Sequence, residues 1–208
     1  MSSLADPSRR ERRKLEVRAR IVAAATELFA EHGFNETKVA WVCERADIAH
    51  KTFFNHFPTK QDVMHAIAAD GIESLLSSID AAREAGTDTR DRLTQFFDSV
   101  ASRATDAGPM HRELLTEIIN AAQQVEGEAN QARRLHDAFN RLVKQGVREG
   151  DVTRQHSTET LTEMLLGTYY ALMFNWASLE NYKITTRAHA AARFLGDALA
   201  RRTDEPTS

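Results

Sequence analysis

The chain is 208 residues long, which is enough for one large domain or two small ones. Its 9 glycines and 4 prolines are below average usage, which disfavours turn-rich sandwiches and barrels and favours long helices. Hydrophobic residues make up 42% and charged residues 27%, a balance that excludes a wholly disordered chain. The single cysteine, Cys43, excludes an intrachain disulfide framework and is predicted to be a small core residue.

The sequence gives no indication of membrane insertion. Residues 1–20 are charged and lack the apolar region of a signal peptide. The longest nearly apolar run, Met164 to Ala177, has 14 residues and is too short to span a bilayer. These features predict a soluble, cytoplasmic protein with no membrane partner.

The net charge of −3 is unevenly distributed. Residues 9–60 carry eleven Lys or Arg and seven Asp or Glu, a net charge of +4, whereas residues 61–208 have a net charge of −6. A basic end on an acidic body suggests a nucleic-acid-binding module. A solvated basic tail explains the charge equally well.

The first four predicted helices are followed by a body of further helices, and the second and third of the four are short. A helical period of apolar residues starts at Glu16, and Gly33 ends that helix. Thr37 is predicted to cap a second helix that buries Val39, Val42 and Cys43. A turn over residues 45–48 leads to a third helix from about Ala49 to Asn55, and Thr59 is predicted to cap the long fourth helix.

Five more predicted helices complete the chain. They cover Thr89–Thr105, Pro109–Gln124, Glu128–Glu149, Thr158–Ala177 and Thr185–Arg202. The fold class is therefore all-α with nine helices, and the pattern predicts no strand.

Residues 37–57 have the dimensions of a helix-turn-helix, in which Ile48 sets the angle between two short helices. Phe53 and Phe57 are predicted to form the buried face of the second helix. The remaining side chains of that helix suit a DNA surface, because they can donate to base edges or phosphates. They are His50, Lys51, Thr52, Asn55 and His56.

Residues 17–67 resemble the DNA-binding domain of the tetracycline-repressor (TetR) family. The matching stretches are ARIVAAATELFAEHGFNETKV, ERADIAHKTFFNHFPTK and QDVMHAI. The resemblance implies three N-terminal helices that bind DNA and a six-helix body that binds an effector and forms a homodimer. The expected division is a basic flexible arm over residues 1–14, a helix-turn-helix domain over 15–58, an effector and dimerisation domain over 59–203, and a flexible tail over 204–208.

The same resemblance implies which residues face a double-stranded DNA operator. They are Thr37, Lys38, His50, Lys51, Thr52, Phe54, Asn55, His56 and Lys60. The chain departs from the family pattern where Phe54 replaces a tyrosine, Asp47 a glycine, and Ala49 a capping Ser or Thr. The Ala49 change costs the short helix on the order of 1 kcal/mol. Lys51 replaces a frequent glycine and adds a charge.

Five basic residues precede the first periodic helix, namely Arg9, Arg10, Arg12, Arg13 and Lys14. Such an arm can reach an adjacent minor groove. The alternative is a solvated tail that makes no specific contact.

The body combines aromatic and apolar residues that either pack solidly or line a pocket between helices. The pocket hypothesis predicts a small apolar or amphipathic effector. Asn175 is informative because its amide, among apolar neighbours, must pair with the effector, a partner chain or backbone. The candidate lining residues are Leu76, Phe96, Val100, Leu114, Ile118, Phe139, Val143, Met164, Thr168 and Asn175.

The helix after Thr158 is apolar nearly all round, so it is predicted to be buried on several faces. One face packs into the body, and the other, with the last helix (Ala191, Phe194, Leu195, Ala198), pairs with a symmetry mate. This arrangement agrees with the four-helix dimer that the resemblance implies.

The favoured interpretation is a transcriptional regulator, a repressor released from a palindromic operator by its effector. One alternative is a DNA-binding regulator that has no pocket and is controlled by a protein partner. An enzyme or metal protein is much less favoured, because the eight histidines form no H-E-x-x-H motif and no Gly-rich phosphate loop is present. We therefore predict no catalytic residue, no metal and no cofactor.

Overall fold

The computed structural model describes residues 8–107 and 128–201, which form eight α-helices. They are α1 (Arg9–His32), α2 (Val39–Arg45), α3 (His50–His56), α4 (Lys60–Ala85), α5 (Thr89–Ala107), α6 (Glu128–Glu149), α7 (Thr158–Ser178) and α8 (Ile184–Leu199). The all-helical class is confirmed. The predicted helix over Pro109–Gln124, with the candidate residues Leu114 and Ile118, lies outside the described residues.

The first helix begins earlier than its apolar period indicates. A capping box starts α1, in which Ser8 Oγ accepts from the Glu11 N–H (3.3 Å) and the Glu11 carboxylate accepts from the Ser8 N–H (2.8 Å). The prediction of a flexible arm over residues 1–14 is therefore wrong for Arg9–Lys14, which are helical. As predicted, α1 ends at Gly33, which takes a positive φ of 78°.

Contacts within the chain divide it into two units, of which the first includes residues 8–69 of the described chain. Its core joins α1, α2, α3 and the first turns of α4. The core is mostly aliphatic and aromatic, and it includes the buried thiol of Cys43, as predicted. Its large members are Ile21, Leu28, Phe29, Val42, Phe53, Phe57, Val63, Met64 and Ile67.

The turn between α2 and α3 follows the family-like pattern with one substitution. Asp47 takes a positive φ of 51°, which aspartate tolerates better than most residues other than glycine. The N–H of the half-buried Ile48 then donates to the Cys43 carbonyl oxygen (3.0 Å) and closes the turn. Ala49 occupies the N-cap position of α3 and provides no side-chain hydrogen bond there.

The predicted caps of α2 and α4 differ in outcome. Thr37 does not cap α2, because its hydroxyl donates to the carbonyl oxygens of Leu28 (3.1 Å) and Gly33 (2.8 Å), and Lys38 occupies the cap position. The cap at Thr59 is confirmed. Its Oγ1 accepts from the Asp62 N–H (3.2 Å), and the Asp62 carboxylate accepts from the Thr59 N–H (2.8 Å).

The second unit contains residues 70–107 and 128–201 of the described chain. In this unit α5 packs mainly against α8, and α6 against α7. The Asp151 carboxylate caps the start of α5 by accepting from the Thr89 N–H (2.5 Å) and hydroxyl (3.0 Å). An isolated antiparallel bridge between Val152 and Ala200 accompanies the end of α8, which stops before the predicted Arg202.

An ion pair is partly enclosed in the second unit. Arg92 is buried, and its guanidinium lies 2.6 Å from the Glu149 carboxylate. Within the described ranges, no helix is long and apolar enough to cross a membrane.

Candidate functional site

The surface of α3 separates into a buried and an exposed face. Phe53 and Phe57 are 0% and 1% exposed and anchor the helix on the first unit's core. The side chains predicted to meet DNA lie elsewhere on the helix. His50, Lys51, Phe54 and Asn55 are exposed, and Thr52 and His56 are half-buried.

Phe54 leaves an aromatic ring where a hydrogen-bonding tyrosine is expected from the family pattern. The ring is 48% exposed and packs against His50, with ring centres 5.9 Å apart. It can contact a thymine methyl group or sugar, but it cannot donate to a phosphate. Contacts with phosphate groups at this surface are therefore left to neighbouring residues such as Lys51.

Lys60 and Thr37, both predicted to face DNA, are bound to backbone carbonyl groups within the first unit. Lys60 Nζ donates to the carbonyl oxygens of Phe34 (2.5 Å), Asn35 (3.1 Å) and Thr37 (2.9 Å), and burial lowers the pKa of this ammonium group. The Thr37 side chain is buried and its hydroxyl is bound to backbone. In the described chain both residues bind the α1–α2 loop, which supports a structural role for them.

The exposed side of α2 carries a residue that sequence reasoning missed. Trp41 is partly exposed, with the Lys38 ammonium 5.6 Å from its ring centre and the His32 ring 5.3 Å away. The inward positions Val39, Val42 and Cys43 leave residue 41 on the opposite face, so the helical period already contained this information.

The C-terminal end of α3 lies beside α1. The Arg18 guanidinium lies 4.3 Å from the centre of the Phe57 ring. The pKa of His56 is lowered by burial and then by the charges of Lys14 and Arg18. These contacts make the start of α1 a neighbour of the candidate DNA surface.

In the second unit, several predicted effector residues belong to an aromatic cluster. The rings of Phe96 and Phe139 meet edge to face at 5.1 Å, and Tyr169 lies 6.0 Å and 6.3 Å from them. Val100 and Val143 are also buried. Burial raises the pKa of Tyr169 to about 12, so its hydroxyl stays protonated.

Arg103 is a second residue that sequence reasoning missed. It lies seven residues after Phe96 and so on the same face of α5. Its guanidinium donates to the Ser74 carbonyl oxygen (3.1 Å) and hydroxyl (2.9 Å), and burial lowers its pKa. Among the described residues it forms no ion pair, which leaves a half-buried cation beside aromatic side chains.

Other predicted effector residues lie apart from this cluster. Leu76 also lines a polar groove of about 370 Å³ that contains Glu73, Asp80, Arg134 and Arg141. Met164 is 58% exposed in the described chain, apart from the buried cluster. Thr168 and Asn175 are half-buried, and the Thr168 hydroxyl donates to the Met164 carbonyl oxygen (2.9 Å).

Large apolar side chains are exposed along α7 and α8. Phe174 is 66% and Phe194 68% exposed, and Tyr170 and Leu179 are exposed as well. Of the residues predicted for an apolar pairing face, Phe194 and Ala198 are exposed, whereas Leu195 is buried within the described chain. Such a surface is typical of a protein interface.

Comparison with known proteins agrees with this arrangement. The family model described as bacterial regulatory proteins, tetR family, matches residues 21–67. The HTH-type transcriptional repressor KstR of Mycolicibacterium smegmatis is 26% identical over 93% of this chain and 91% of its own. A TetR-family regulator structure from Pectobacterium atrosepticum is 18% identical, with a TM-score of 0.73 over 97% of this chain and 100% of its own. Thermus thermophilus FadR, solved in complex with lauroyl-CoA, is 22% identical, with a TM-score of 0.63 over 92% and 100%.

The exposed helix of a helix-turn-helix lies within the segment that matches this family model, and the relatives that the chain resembles are DNA-binding transcriptional regulators. Within that class, residues 21–67 resemble the tetR family, whose model they match.

Proposed function

We propose that the protein is a homodimeric repressor that leaves a palindromic operator when a small effector binds. The observation that carries this proposal is the exposed polar face of α3, held on the buried rings of Phe53 and Phe57. Each α3 enters a major groove, and the two half-sites lie about 34–36 Å apart or a multiple of that distance. A protein with this task acts in the cytoplasm, where bacterial DNA is found.

The proposed DNA contacts are made by exposed and half-buried residues of α2 and α3. Asn55→Ala and Thr52→Ala are expected to alter the preference among operator sequences, because both side chains can bond base edges. Lys51→Ala is expected to weaken binding to all sequences and to reduce its salt dependence. Equal loss on every sequence for all three variants contradicts the base-reading roles. The full set is Lys38, His50, Lys51, Thr52, Phe54, Asn55 and His56.

The dimer is proposed to form through α7 and α8. Support comes from the exposed Phe174 and Phe194, which a second copy of this surface would bury. Phe174→Glu is expected to yield a monomer in sedimentation velocity at micromolar concentration and to weaken operator binding. Glu159→Gln, an exposed change at the start of α7, is the control. A wild-type monomer that binds the palindrome tightly contradicts the proposal.

The effector is proposed to be an amphipathic molecule that binds in residues 59–203. Support comes from the aromatic cluster of Phe96, Phe139 and Tyr169 and from the half-buried cation Arg103, which suits an acidic group. Because the binding energy must differ between DNA-bound and free conformations, the effector is expected to lower operator affinity. α4 begins in the first unit and ends in the second, so it is the continuous link between them.

Lauroyl-CoA, laurate and dodecanol are suitable probes, because they share an apolar chain and differ in charge. We expect the charged probes to raise the melting temperature and release the operator, and Arg103→Gln to abolish their advantage over dodecanol. Arg103→Lys, which keeps the charge at the same position, serves as the matched variant. If no small molecule stabilises the chain and a protein partner releases the operator, the pocket proposal is wrong and control by that partner replaces it.

A further inference from the structure

The helix α1 is longer than the core of the first unit requires. Its buried residues begin at Ile21, and the half-buried Val17 packs at the edge of the core. The residues before Val17 are all exposed, yet the Ser8 capping box starts the helix at Arg9. Residues 9–16 therefore form about two helical turns, roughly 12 Å, beyond the core.

The basic residues of this overhang divide between two faces of the helix. Arg10, Lys14, Val17 and Ile21 follow one another at spacings of four, three and four residues, so the two basic residues continue the face that packs on the core. Arg9 and Arg12 point away from that face. Within the described residues, neither Arg10 nor Lys14 forms an ion pair, and the capping carboxylate of Glu11 is bound to Ser8.

The face with Arg10 and Lys14 lies on the same side of the unit as the end of α3. One turn after Lys14, Arg18 sits 4.3 Å from the Phe57 ring centre. The charge of Lys14 also lowers the pKa of His56, the last residue of α3, which requires the two side chains to be close. Arg18, Lys14 and Arg10 therefore form a row of cations along α1 that starts beside the end of α3.

We propose that Arg10 and Lys14 bind phosphate groups of the DNA backbone beside the groove that α3 enters. A helix holds these charges at fixed spacing before DNA binds. It therefore loses less conformational entropy on binding than a flexible arm that becomes ordered in a minor groove. This role is additional to base reading by α3, and it rests on the DNA-binding function. The contacts carry no sequence information, so they add affinity and salt dependence without changing base preference.

The test compares two double variants with equal loss of charge on the same two turns. R10Q/K14Q removes the cations of the inward face, and R9Q/R12Q removes those of the outward face. The probe is a duplex that the wild-type full-length protein selects from a randomised pool. Binding is measured by fluorescence anisotropy across a series of KCl concentrations.

We expect R10Q/K14Q to flatten the salt dependence. Each lost phosphate contact reduces the slope of log K against log [KCl] by about 0.9, which amounts to about 3 to 4 for a bound dimer. R9Q/R12Q is expected to keep most of the wild-type slope, and R10K/K14R, which retains both charges, to keep nearly all of it. Circular dichroism is expected to show equal helix content, since all four residues are exposed.

Three results overturn the proposal: equal slopes in R10Q/K14Q and the wild type, equal flattening in both neutralised variants, or a loss in R10K/K14R as large as in R10Q/K14Q. A changed base preference in R10Q/K14Q also contradicts a backbone-only role. If the wild-type protein selects no duplex at all, the DNA-binding function itself is wrong, which is a distinguishable outcome.

Discussion

The two units of the chain expose opposite chemistries. The first unit presents polar and basic side chains around α3 and α1, above a core that is almost entirely apolar. The second unit presents large apolar side chains on α7 and α8, and it encloses the charged side chain of Arg92. A polar, cationic surface suits a polyanion, whereas an apolar surface suits a second copy or an apolar ligand. The uneven distribution of charge along the chain follows the same division.

The largest expected effect is a difference in stability between substitutions at two adjacent residues, one in the core of the first unit and one on its surface. Phe53→Ala removes a fully buried ring and is expected to cost about 3–5 kcal/mol of stability. Phe54→Ala, at the half-exposed neighbour, is expected to change stability by less than about 0.5 kcal/mol. Urea unfolding monitored by circular dichroism measures both changes.

The same pair also distinguishes folding from DNA binding. Phe54→Ala is expected to lower operator affinity by about fivefold or more, corresponding to about 1 kcal/mol, while leaving the fold intact. If Phe54→Ala destabilises the protein as much as Phe53→Ala, the ring at position 54 belongs to the core and the proposed surface is wrong.

The second largest effect concerns the charge enclosed in the second unit. Glu149→Gln leaves the buried Arg92 guanidinium without its anionic partner and is expected to cost about 2 kcal/mol. The cost is smaller than for a fully buried pair, because the Glu149 carboxylate is 42% exposed and water can approach it. Asp197→Asn, which breaks an exposed pair with Arg90, is expected to cost less than about 1 kcal/mol. If the two variants lose equal unfolding free energy, the burial of Arg92 does not increase the contribution of its ion pair.

Helix positions could be predicted from the sequence because apolar spacing and capping residues are local features. The starts of α4 and α7 and the positive φ of Asp47 follow from such signals. The start of α1 was missed because Arg9–Lys14 has no apolar period, although its capping box was present in the sequence. The roles of Lys60 and Arg103 depend on side chains meeting carbonyl groups more than twenty residues away, which spacing along one helix cannot predict.

The third effect compares two lysines of the first unit with different environments. Lys60→Met removes a cation that donates to three backbone carbonyl groups, and it is expected to cost about 1–2 kcal/mol of stability. Lys51→Met, on the exposed face of α3, is expected to leave stability within about 0.5 kcal/mol and to weaken DNA binding directly. Unfolding free energies and the salt dependence of binding separate the two. A Lys60→Met protein with unchanged stability contradicts the structural role of that ammonium group.

The smallest effect is a pH dependence of the first unit's stability. Burial, followed by the charges of Lys14 and Arg18, holds the pKa of His56 below its ordinary value of 6.5. Unfolding removes these influences, so the unfolded chain binds a proton more readily in that range of pH. Stability is therefore expected to fall as the pH decreases through 6.5, and His56 is expected to contribute no such loss well above that value.

Two variants test this contribution against that of the other histidines. In His56→Gln the melting temperature is expected to fall less between about pH 7.5 and pH 5.5 than in the wild type. In Lys14→Gln the fall is expected to be only slightly smaller than in the wild type, because burial is the larger cause and remains. If His56→Gln keeps the wild-type pH dependence, the neighbours of His56 do not lower its pKa. That result would contradict the closeness of α1 to the end of α3. The proposed phosphate-binding face of α1 depends on that closeness. The same measurement therefore tests whether the start of α1 extends only into solvent or lies along the DNA-binding surface.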